Sequence, residues 1–548
     1  MAEQLTVDTR YGADAARQFR EKGWWRDDSA AALLDYWADT TPTRTYVSDG
    51  TVELDFATVR VRAYRLAARL RELGVRAGDR VVVQLPNWAE LAVAYFANAR
   101  IGAVTVPVMP VYRHAEVRHA VQNSGAVAAV TAGEFRKFDY AAMYRELRGE
   151  CPELRNLILA RATPQGDEVS FDEACDGSGV PDDLGPYPDP DAIHLVVYTS
   201  GTESKAKGCA HTWNTVAFSA RGLATDVFRM TSDDVMFVPS PATHSTGLVV
   251  GILIPVVAGC QTHMMDAWEP TKGLRQIEEY RCSTTATATP FVRMALDAAP
   301  AAGADVSSMR FWLCAGAPIP ETLAREFETV FTNGRLIPLY GSTETLAATC
   351  CHLDDTIEKV VSSDGSPALA GIQIKLADAE GEEVPQGEEG EILYSGPGAI
   401  LGYWRDPERT AATIDTDGWH HTGDLGRADP DGYIRVTGRI KDIIIRGGSN
   451  ISVNEIESYL LRHPRIAQAA VVGYPDERLG ERACAVVVPK EGDPPTLEDV
   501  TGFMRTDLRV SPQKLPERLV VVDEMPMTPT GKIQKFRLRE LAQQEQGE

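Results

Sequence analysis

Residues 198–208 read Tyr-Thr-Ser-Gly-Thr-Glu-Ser-Lys-Ala-Lys-Gly, and the string starts inside an apolar run, Ile193–Thr199. Hydroxyl side chains, glycine and lysine directly after a strand are typical of a loop that cradles phosphate oxygens. No Gly-Lys-Ser or Gly-Lys-Thr follows at the distance of a Walker A loop, which disfavours a P-loop ATPase or kinase. Taken alone, the string is as typical of a polar surface turn; as a phosphate loop it offers these candidate ligands: Thr199, Ser200, Gly201, Thr202 and Lys207.

The sequence on either side of this loop predicts a largely parallel sheet with helices on both faces. From about residue 80 to 345, short apolar runs bounded by turns alternate with helical stretches such as Trp88–Ala99. This alternation is typical of α/β folds, in which ligands bind beyond the carboxyl ends of the strands. The predicted strands are Arg80–Leu85, Ala103–Val108, Val127–Thr131, Leu157–Ala160, Ile193–Thr199, Val235–Val238 and Phe311–Cys314.

The rest of the chain has a different pattern. Ile372–Leu376, Glu391–Tyr394 and Tyr433–Val436 are strand signals joined by Gly, Pro and Asp turns, which predicts a small antiparallel β-unit. Beyond residue 441, strand and helix signals alternate in an α+β pattern. We therefore predict an α/β chain in two parts: a large N-terminal domain of layered α/β subdomains plus the small β-unit over residues 1–440, and a small α+β C-terminal domain over residues 441–548.

The composition excludes several classes of partner. Among 548 residues, 78 are acidic and 55 are basic, and the formal net charge of −23 argues against nucleic acid or an anionic membrane as the main partner. The nine cysteines form no Cys-x-x-Cys pair, so we expect reduced thiols and no cysteine-bound metal. The N-terminus lacks the apolar core of a signal peptide, and the longest apolar run, Gly247–Gly259, is too short to cross a bilayer. We expect a soluble, cytoplasmic protein.

Four more short strings follow in a fixed order. Residues 340–344 read Tyr-Gly-Ser-Thr-Glu, 419–426 read Trp-His-His-Thr-Gly-Asp-Leu-Gly, 438–442 read Gly-Arg-Ile-Lys-Asp, and 526–532 read Pro-Met-Thr-Pro-Thr-Gly-Lys. Each string alone is weak evidence. In this order they resemble the adenylate-forming (ANL) superfamily of AMP-binding enzymes, which includes acyl-CoA ligases, firefly luciferase and adenylation domains. The resemblance covers about residues 50–540.

The resemblance implies that the protein uses ATP, magnesium and CoA, and it assigns roles to the phosphate-binding residues. The loop that begins at Thr199 would hold the β- and γ-phosphates of ATP, and Glu344 would help to hold Mg²⁺. Thr343 would contact the α-phosphate, and Tyr340 would stack on adenine. Gly341 and Ser342 complete this string. An N-cap threonine followed by a first-turn glutamate is the alternative structural interpretation of residues 343 and 344.

The resemblance also implies an adenine and ribose site. Small residues after a predicted strand, Gly316-Ala317-Pro318, would let the flat base approach closely. Asp424 would bind both ribose hydroxyls, with Arg439 as its partner. Taken alone, Gly316 to Pro318 is a tight turn, and Asp424 is a common turn residue after glycine.

The resemblance assigns roles in the two half-reactions to four further residues. Lys532 would stabilise the negative charge that builds up when a carboxylate attacks the α-phosphorus. Lys441 would be the hinge on which a mobile C-terminal domain turns. Gly447 and Gly448 would line the tunnel for the pantetheine arm of CoA. A lysine near the chain end is usually solvated, and a Gly-Gly pair is usually a turn, so these roles depend on the resemblance.

The role predicted for His244 depends on its position in the chain. It lies in Pro-Ala-Thr-His-Ser-Thr-Gly, where the family often places an aromatic residue or histidine beside the acyl carbonyl. A lone histidine is more often structural. The resemblance implies that several small residues lie near His244, and these predict a roomy, largely apolar acyl pocket: Thr246, Gly247, Ala315, Gly341 and Ala347.

The phosphate loop departs from the family pattern at three positions. Where the family has Thr-Gly-x-Pro, this chain has Glu203, Ser204, Lys205 and Ala206. A carboxylate about 4 Å from a phosphate is repelled by roughly 4 kcal/mol at an effective dielectric of about 20, an upper value since Lys205 or magnesium would offset it. Glu203 is therefore the change with the greatest expected effect on catalysis.

These observations leave three functions open. The first is an acyl-CoA ligase that converts a bulky carboxylic acid (alicyclic, polycyclic or aromatic) through an acyl-AMP intermediate to a thioester. The second is a non-adenylating ligase that performs only thioesterification of a preformed acyl-adenylate, with a partner enzyme that makes the adenylate. The third is a carrier-protein-loading module or binding scaffold. We expect a small-molecule acid and CoA as partners, and neither nucleic acid nor membrane; a homodimer stays open.

Overall fold

The computed structural model describes residues 5–181, 183–199, 206–316, 319–446, 449–476, 478–490, 492–528 and 532–544. The chain divides into two compact units. Unit 1 comprises residues 1–201, 205–373 and 394–420, and unit 2 comprises residues 202–204, 374–393 and 421–548. The small β-unit therefore groups with the C-terminal residues, whereas the sequence pattern places it with the N-terminal domain. The domain boundary at residue 440 stays a prediction.

The strands are numbered here in chain order. They are β1 Thr45–Ser48, β2 Glu53–Asp55, β3 Arg80–Gln84, β4 Val104–Pro107, β5 Ala128–Ala132, β6 Glu134–Phe135, β7 Phe138–Asp139, β8 Asn156–Ala160, β9 Val169–Ser170, β10 Ile193–Thr199, β11 Lys207–Thr212, β12 Val235–Val238, β13 Gln261–Met264, β14 Thr284–Thr287, β15 Phe311–Ala315, β16 Arg335–Tyr340, β17 Thr349–Cys350, β18 Ser366–Pro367, β19 Gln373–Ala377, β20 Gly390–Ser395, β21 Gly402–Tyr403, β22 His420–Ala428, β23 Ile434–Arg439, β24 Ile444–Arg446, β25 Ser449–Ile451, β26 Ile466–Asp476, β27 Gly480–Pro489 and β28 Arg518–Val521.

The α-helices are α1 Val7–Glu21, α2 Ala30–Thr40, α3 Phe56–Glu72, α4 Ala89–Ile101, α5 His114–Ser124, α6 Tyr140–Glu150, α7 Phe171–Cys175, α8 Trp213–Gly222, α9 Ser245–Leu248, α10 Ile254–Ala258, α11 Pro270–Glu279, α12 Thr289–Ala302, α13 Glu321–Val330, α14 Ile357–Ser362, α15 Pro407–Thr413, α16 Val453–Leu460, α17 Leu497–Thr506 and α18 Lys535–Gln544. Short π-helical turns cover Leu223–Val227 and Val249–Leu253, and 3₁₀ turns cover Ile440–Asp442 and Pro512–Lys514.

Unit 1 contains two large mixed sheets. The nine-stranded sheet has the order β18-β17-β16-β15-β14-β12-β13-β1-β2, and the eight-stranded sheet has the order β21-β11-β10-β4-β3-β5-β8-β9. The inner neighbours pair in parallel in both, while β10 and β11 pair antiparallel. Strands β4 and β5 are buried along their whole length, as expected for strands covered on both faces. The predicted α/β class is confirmed.

The apolar run at residues 247–259 is a continuous buried helical segment made of α9, a π-helical turn and α10, with Pro255 in the first turn of α10. It belongs to the core of unit 1. No helix in the described part of the chain combines the length and the apolar character that crossing a bilayer requires.

Unit 2 contains two smaller sheets. One has the order β19-β20-β22-β23, with β22 and β23 antiparallel, and the other has the order β25-β24-β27-β26 with β28 parallel to β27. Buried side chains of β26, β27, α16 and α17 pack into one apolar core, which gives the predicted C-terminal α+β pattern. The strands contribute every second side chain to this core, because alternate side chains of a strand point to the same face of the sheet.

Candidate active site

Two of the predicted adenine-site residues lie at neighbouring strand ends. Strands β15 and β16 are parallel, and Ala315 of β15 pairs with Leu339 of β16. The residues that come next, Gly316 and Tyr340, therefore lie side by side at the carboxyl edge of the nine-stranded sheet. Gly316 has φ +87°, a conformation that favours glycine. The other two members of this string, Ala317 and Pro318, lie outside the described residues.

The string that follows Tyr340 forms a tight turn. The Glu344 NH donates to Ser342 Oγ (3.1 Å), and the Leu346 NH donates to the Ser342 carbonyl (2.8 Å). Leu346 has φ +58°, which costs on the order of 1–2 kcal/mol for a residue with a side chain. No helix starts at Thr343, so the N-cap interpretation of this string is wrong. The hydrogen bonds to Ser342 instead hold a turn that contains Glu344, despite the strain at Leu346.

The Glu344 carboxylate is buried among polar partners of unit 1. The Tyr403 hydroxyl donates to Glu344 Oε1 (2.9 Å), and Lys207 Nζ lies 3.9 Å from the same oxygen. Lys207 Nζ also lies 5.0 Å from the centre of the Tyr403 ring. Burial alone would raise the pKa of Glu344, but the charges of His420 and Lys207 and the hydrogen bond from Tyr403 outweigh it and lower that pKa. The site therefore holds a carboxylate that is ionised at neutral pH.

Thr343 is held by two residues from other elements. His211 Nε2 lies 2.8 Å from the Thr343 carbonyl, and because a carbonyl only accepts, this nitrogen carries the proton and donates. Burial lowers the pKa of His211 to about 4, so the imidazole is neutral at neutral pH. Ser245 Oγ lies 3.2 Å from Thr343 Oγ1, which brings the start of α9, and His244 just before it, next to this turn.

The ends of the predicted phosphate loop are joined by the sheet. Thr199, the last residue of β10, pairs with Lys207, the first residue of β11, so residues 200–206 connect two antiparallel strands. His119 Nε2 donates to the Ala206 carbonyl (2.8 Å) and holds the exit of the loop. The candidate ligands Ser200, Gly201 and Thr202 and the altered positions 203–205 lie outside the described residues.

Asp424 and Arg439, the two residues predicted for the ribose site, are ion-paired in unit 2. They face each other in the β22–β23 register, and Arg439 Nε lies 2.9 Å from Asp424 Oδ1. The Asp424 side chain is 10% exposed and that of Arg439 is 55% exposed. The β22 backbone before Asp424 is held by Glu391, whose carboxylate accepts from the Gly423 NH (3.0 Å) and lies 2.9 Å from His421 Nδ1.

The C-terminal candidates also lie in unit 2. Lys441 is exposed within a 3₁₀ turn, and Lys532 is exposed, with its NH donating to Thr528 Oγ1 (3.0 Å). Gly447 and Gly448 lie outside the described residues. Ser452 precedes α16, and its hydroxyl donates to the Thr437 carbonyl on β23 (2.7 Å) and makes no cap hydrogen bond to the helix.

Two glycines that predict a roomy acyl pocket have another explanation. A Cβ atom on Gly247 would lie 2.2 Å from the Pro241 carbonyl oxygen, and one on Gly341 would lie 2.2 Å from the Leu346 carbonyl oxygen. Both glycines are needed because backbone fills the space where a side chain would go. The inference of a roomy pocket from these two glycines is therefore wrong. The prediction of such a pocket now depends on Thr246, Ala315 and Ala347 alone.

Three residues that hold candidate residues within their own units are absent from the sequence prediction: Tyr403 and His211 in unit 1, and Glu391 in unit 2. Each acts through a contact between segments far apart in the chain, and Tyr403 is 59 residues from Glu344. A tyrosine after glycine or a histidine in a buried strand has no spacing signal of its own. Only the folded arrangement identifies them.

The residues present fit a magnesium ion that is bound together with phosphates. Among the described residues no group of three or more His, Cys, Asp and Glu side chains could hold a metal ion. Mg²⁺ is commonly held by one or two carboxylates together with substrate phosphates, and a single ionised carboxylate such as Glu344 is a suitable donor. Lys207 beside it would add positive potential for the phosphates.

Comparison with known proteins agrees with these strings. The profile described as AMP-binding enzyme matches residues 34–404, and the profile described as AMP-binding enzyme C-terminal domain matches residues 455–532. The first match alone spans more than half of the chain. It contains the predicted phosphate loop and the Tyr340 string.

Two curated relatives match along nearly the whole chain. The medium-chain fatty-acid–CoA ligase of Escherichia coli (strain K12) is 36% identical over 542 residues, which are 98% of this chain and 94% of that protein. The salicyl-AMP ligase / salicyl-S-ArCP synthetase of Mycobacterium tuberculosis is 34% identical over 534 residues, which are 96% of this chain and 93% of that protein.

A solved structure has the same fold. The anthranilate CoA ligase AuaEII, crystallised in complex with anthranoyl-AMP, superposes with a TM-score of 0.87 and covers 95% of this chain and 98% of its own, at 24% identity. The relatives named here are acid–CoA and acid–AMP ligases. The profile matches and the full-length relatives show that this chain belongs to the AMP-binding enzyme family, the adenylate-forming superfamily.

Proposed function

We propose that this chain is an acyl-CoA ligase with two half-reactions. In the first, a carboxylate oxygen of the acid bonds to the α-phosphorus of ATP, the bond to the bridging oxygen breaks, and pyrophosphate leaves. In the second, the CoA sulfur bonds to the acyl carbon, the carbon–oxygen bond to AMP breaks, and the thiol proton is lost. The products are an acyl-CoA thioester, AMP and pyrophosphate.

One observation carries the proposal: the ionised, buried Glu344 carboxylate beside Lys207 at the end of the phosphate loop. Burial of a carboxylate costs desolvation that its partners must offset, and a buried, ionised carboxylate held by specific partners is a candidate functional group. Glu344 would hold Mg²⁺ when Mg-ATP is bound, and that ion would neutralise charge on the phosphates. Lys207 and the Thr343 hydroxyl would orient the phosphate oxygens.

Unit 2 would supply the remaining nucleotide contacts and the catalytic cation. Asp424 would accept hydrogen bonds from the ribose hydroxyls, and its contact with Arg439 keeps it oriented for this role. Lys532 would stabilise the charge that develops at the α-phosphate. Lys441 would be the hinge between the half-reactions, and Gly447 and Gly448 would line the pantetheine path.

We propose a bulky acid (alicyclic, polycyclic or aromatic) as the substrate. The salicyl group in the name of the M. tuberculosis relative is aromatic, and the E. coli relative is named for medium-chain fatty acids. Small side chains at Thr246, Ala315 and Ala347 support space for such a group. His244 would lie beside the acyl carbonyl, since it precedes the α9 residue that contacts Thr343.

Product analysis tests the proposal directly. Purified protein is incubated with Mg-ATP, CoA and each acid of a panel that spans acetate, medium-chain, alicyclic and aromatic acids, and in parallel with synthetic acyl-adenylates plus CoA. We expect AMP and acyl-CoA from ATP with a bulky acid, and none from acetate. Acyl-CoA from acetate alone would overturn the substrate class, and no thioester from any acid or adenylate would overturn the ligase.

A second candidate, thioesterification of an adenylate made elsewhere, is favoured by Glu203, Ser204 and Ala206 in the phosphate loop. It predicts acyl-CoA from synthetic adenylate and almost no acid-dependent pyrophosphate exchange with ATP. Under this candidate, Glu203→Thr combined with Ser204→Gly would raise the exchange, by up to about a thousandfold if the full repulsion is relieved. Robust exchange by the unaltered protein would exclude this candidate.

The M. tuberculosis relative is named a salicyl-AMP ligase / salicyl-S-ArCP synthetase, so a carrier protein is the alternative acceptor. Acyl transfer to a purified aryl carrier protein but never to CoA would support that alternative. Transfer to CoA with no carrier present would support the acyl-CoA ligase.

A further inference from the structure

One loop holds both the backbone and the side chain of Glu344. The Ile400 NH donates to the Glu344 carbonyl (2.9 Å), and the Tyr403 hydroxyl donates to Glu344 Oε1 (2.9 Å). Tyr403 is 2% exposed and lies on β21, which pairs with β11 directly after Lys207. The carboxylate is therefore fixed from one segment, residues 397–403, that carries no predicted nucleotide contact of its own.

The N-terminal segment in turn holds this loop. The Tyr11 hydroxyl donates to the Ala399 carbonyl (2.6 Å), Arg10 Nε donates to the Ile400 carbonyl (3.2 Å), and Trp25 Nε1 donates to the Pro397 carbonyl (3.1 Å). The three donors bind three carbonyls that lie in a stretch of four residues, 397–400. Any movement of the loop would break several of the hydrogen bonds together.

The donors of this segment are themselves fixed by aromatic packing. The rings of Tyr11, Phe19 and Trp25 make mutual edge-to-face contacts with centroid distances of 5.0–5.6 Å. The segment lies before residue 34, where the match to the AMP-binding enzyme profile begins. A chain of contacts thus runs from helix α1 through residues 397–403 to the Glu344 carboxylate.

We propose that Tyr403 is a positioning residue for Glu344, and that residues 10–25 form a brace that keeps Tyr403 in place. The inference rests on the proposed function, in which Glu344 binds Mg²⁺. Magnesium demands near-ideal octahedral geometry, so the orientation of its carboxylate ligand matters. The Tyr403 hydroxyl and Lys207 both contact Oε1, and the proposal assigns Oε2 to the cation.

Removal of the hydroxyl alone separates this role from packing. Tyr403→Phe keeps the buried ring and deletes the donor. We expect the affinity for a non-hydrolysable ATP analogue in the presence of Mg²⁺ to fall about tenfold, since the loss of a hydrogen bond to a metal ligand commonly costs 10–100-fold. AMP binding without Mg²⁺ is expected to stay within about twofold. Titration calorimetry measures both affinities.

A matched control removes a buried tyrosine hydroxyl far from Glu344. The Tyr46 hydroxyl donates to the Ile252 carbonyl (2.9 Å), and Tyr46 is fully buried. Tyr46→Phe is expected to lower thermal stability about as much as Tyr403→Phe without changing the response to Mg²⁺. Glu344→Gln serves as the positive reference and is expected to weaken Mg²⁺-dependent binding more than Tyr403→Phe does.

The brace is tested with Tyr11→Phe, which keeps the aromatic cluster and deletes one donor to the loop. We expect a change of the same kind as in Tyr403→Phe but smaller, about two- to threefold, because two other donors remain. No change in Tyr11→Phe would overturn the brace.

The outcomes distinguish this inference from the proposed function. If the unaltered protein binds no ATP analogue, or if Glu344→Gln leaves the Mg²⁺ response unchanged, the magnesium role of Glu344 fails and the inference fails with it. If those two measurements agree with the proposal but Tyr403→Phe has no effect, or lowers the affinities for AMP and the ATP analogue equally, only the inference is overturned.

Discussion

Glu344 in unit 1 and Lys532 in unit 2 are the two charged residues on which the proposed chemistry depends, and they are held in opposite ways. Glu344 is buried, and its carboxylate contacts Tyr403 and Lys207 from other segments. Lys532 is exposed, and its backbone NH and carbonyl form hydrogen bonds with Thr528. A ligand for a bound cation gains from a fixed position, whereas a cation that acts only in one half-reaction gains from being accessible.

The difference predicts how substitutions divide between rate and stability. Substitutions around Glu344 should change binding and folding together, because several buried contacts depend on each other. Substitution of Lys532 should change only the rate, because little packing is lost with an exposed side chain. The following predictions test this division, beginning with the largest effect.

Lys532→Ala is expected to lower acid-dependent adenylation by about 10²–10³-fold, the usual range for loss of a group that stabilises transition-state charge. The thermal midpoint should not change. Pyrophosphate exchange and differential scanning fluorimetry measure the two effects.

Lys535→Ala is the contrasting control three residues away. Lys535 Nζ lies 2.8 Å from Glu457 Oε1, and both side chains are 18% exposed, so its loss should lower stability and leave adenylation nearly unchanged. A large drop in stability in Lys532→Ala would contradict the proposed contrast.

Asp424→Asn tests a carboxylate that is buried but has an exposed partner, Arg439. We expect AMP affinity to fall about tenfold, since a hydrogen bond to a charged group contributes about 1.5–3 kcal/mol. Calorimetry with AMP measures it. Asp429→Asn is the control on the same strand pair: this side chain accepts from backbone NH groups in the β22–β23 turn, a role that asparagine also fills. Equal losses in both variants would mean that the turn, and not the ribose contact, is affected.

The smallest expected effect is a dependence of stability on pH. Burial lowers the pKa of His194, His211 and His263 to about 4 each. The unfolded chain, with histidine pKa values near 6.5, binds protons that the folded chain does not, so stability is complete above about pH 6.5 and is lost as pH falls towards 4. Each histidine contributes at most about 1.4 kcal/mol per pH unit to this slope.

His211→Gln should flatten that slope, because glutamine can still donate to the Thr343 carbonyl but does not titrate. Thermal midpoints measured from pH 7.5 to 5 test it. An unchanged slope in His211→Gln would show that His211 is protonated equally in both states.

The candidate site could be predicted in part. The strings at 198–208 and 340–344 gave the strand ends correctly, because glycine and hydroxyl residues after apolar runs follow from the rules for α/β sheets. The pocket interpretation of Gly247 and Gly341 failed, because the absence of a side chain does not reveal whether ligand or backbone occupies the space. The grouping of the small β-unit with the C-terminal residues also depends on contacts that alternation along the chain does not contain.

The sequence by itself determined the α/β class and the family, and it made Glu344, Asp424 and Lys532 candidates, because these inferences depend on residue type and local order. The tertiary structure decided how each charge is held. Tyr403 and His211 reach the Glu344 turn from distant segments, and residues 10–25 reach the loop at 397–400; only folding brings these donors within hydrogen-bond distance. The interactions that orient a carboxylate are short-ranged, whereas the residues that provide them are separated by up to several hundred positions in the chain.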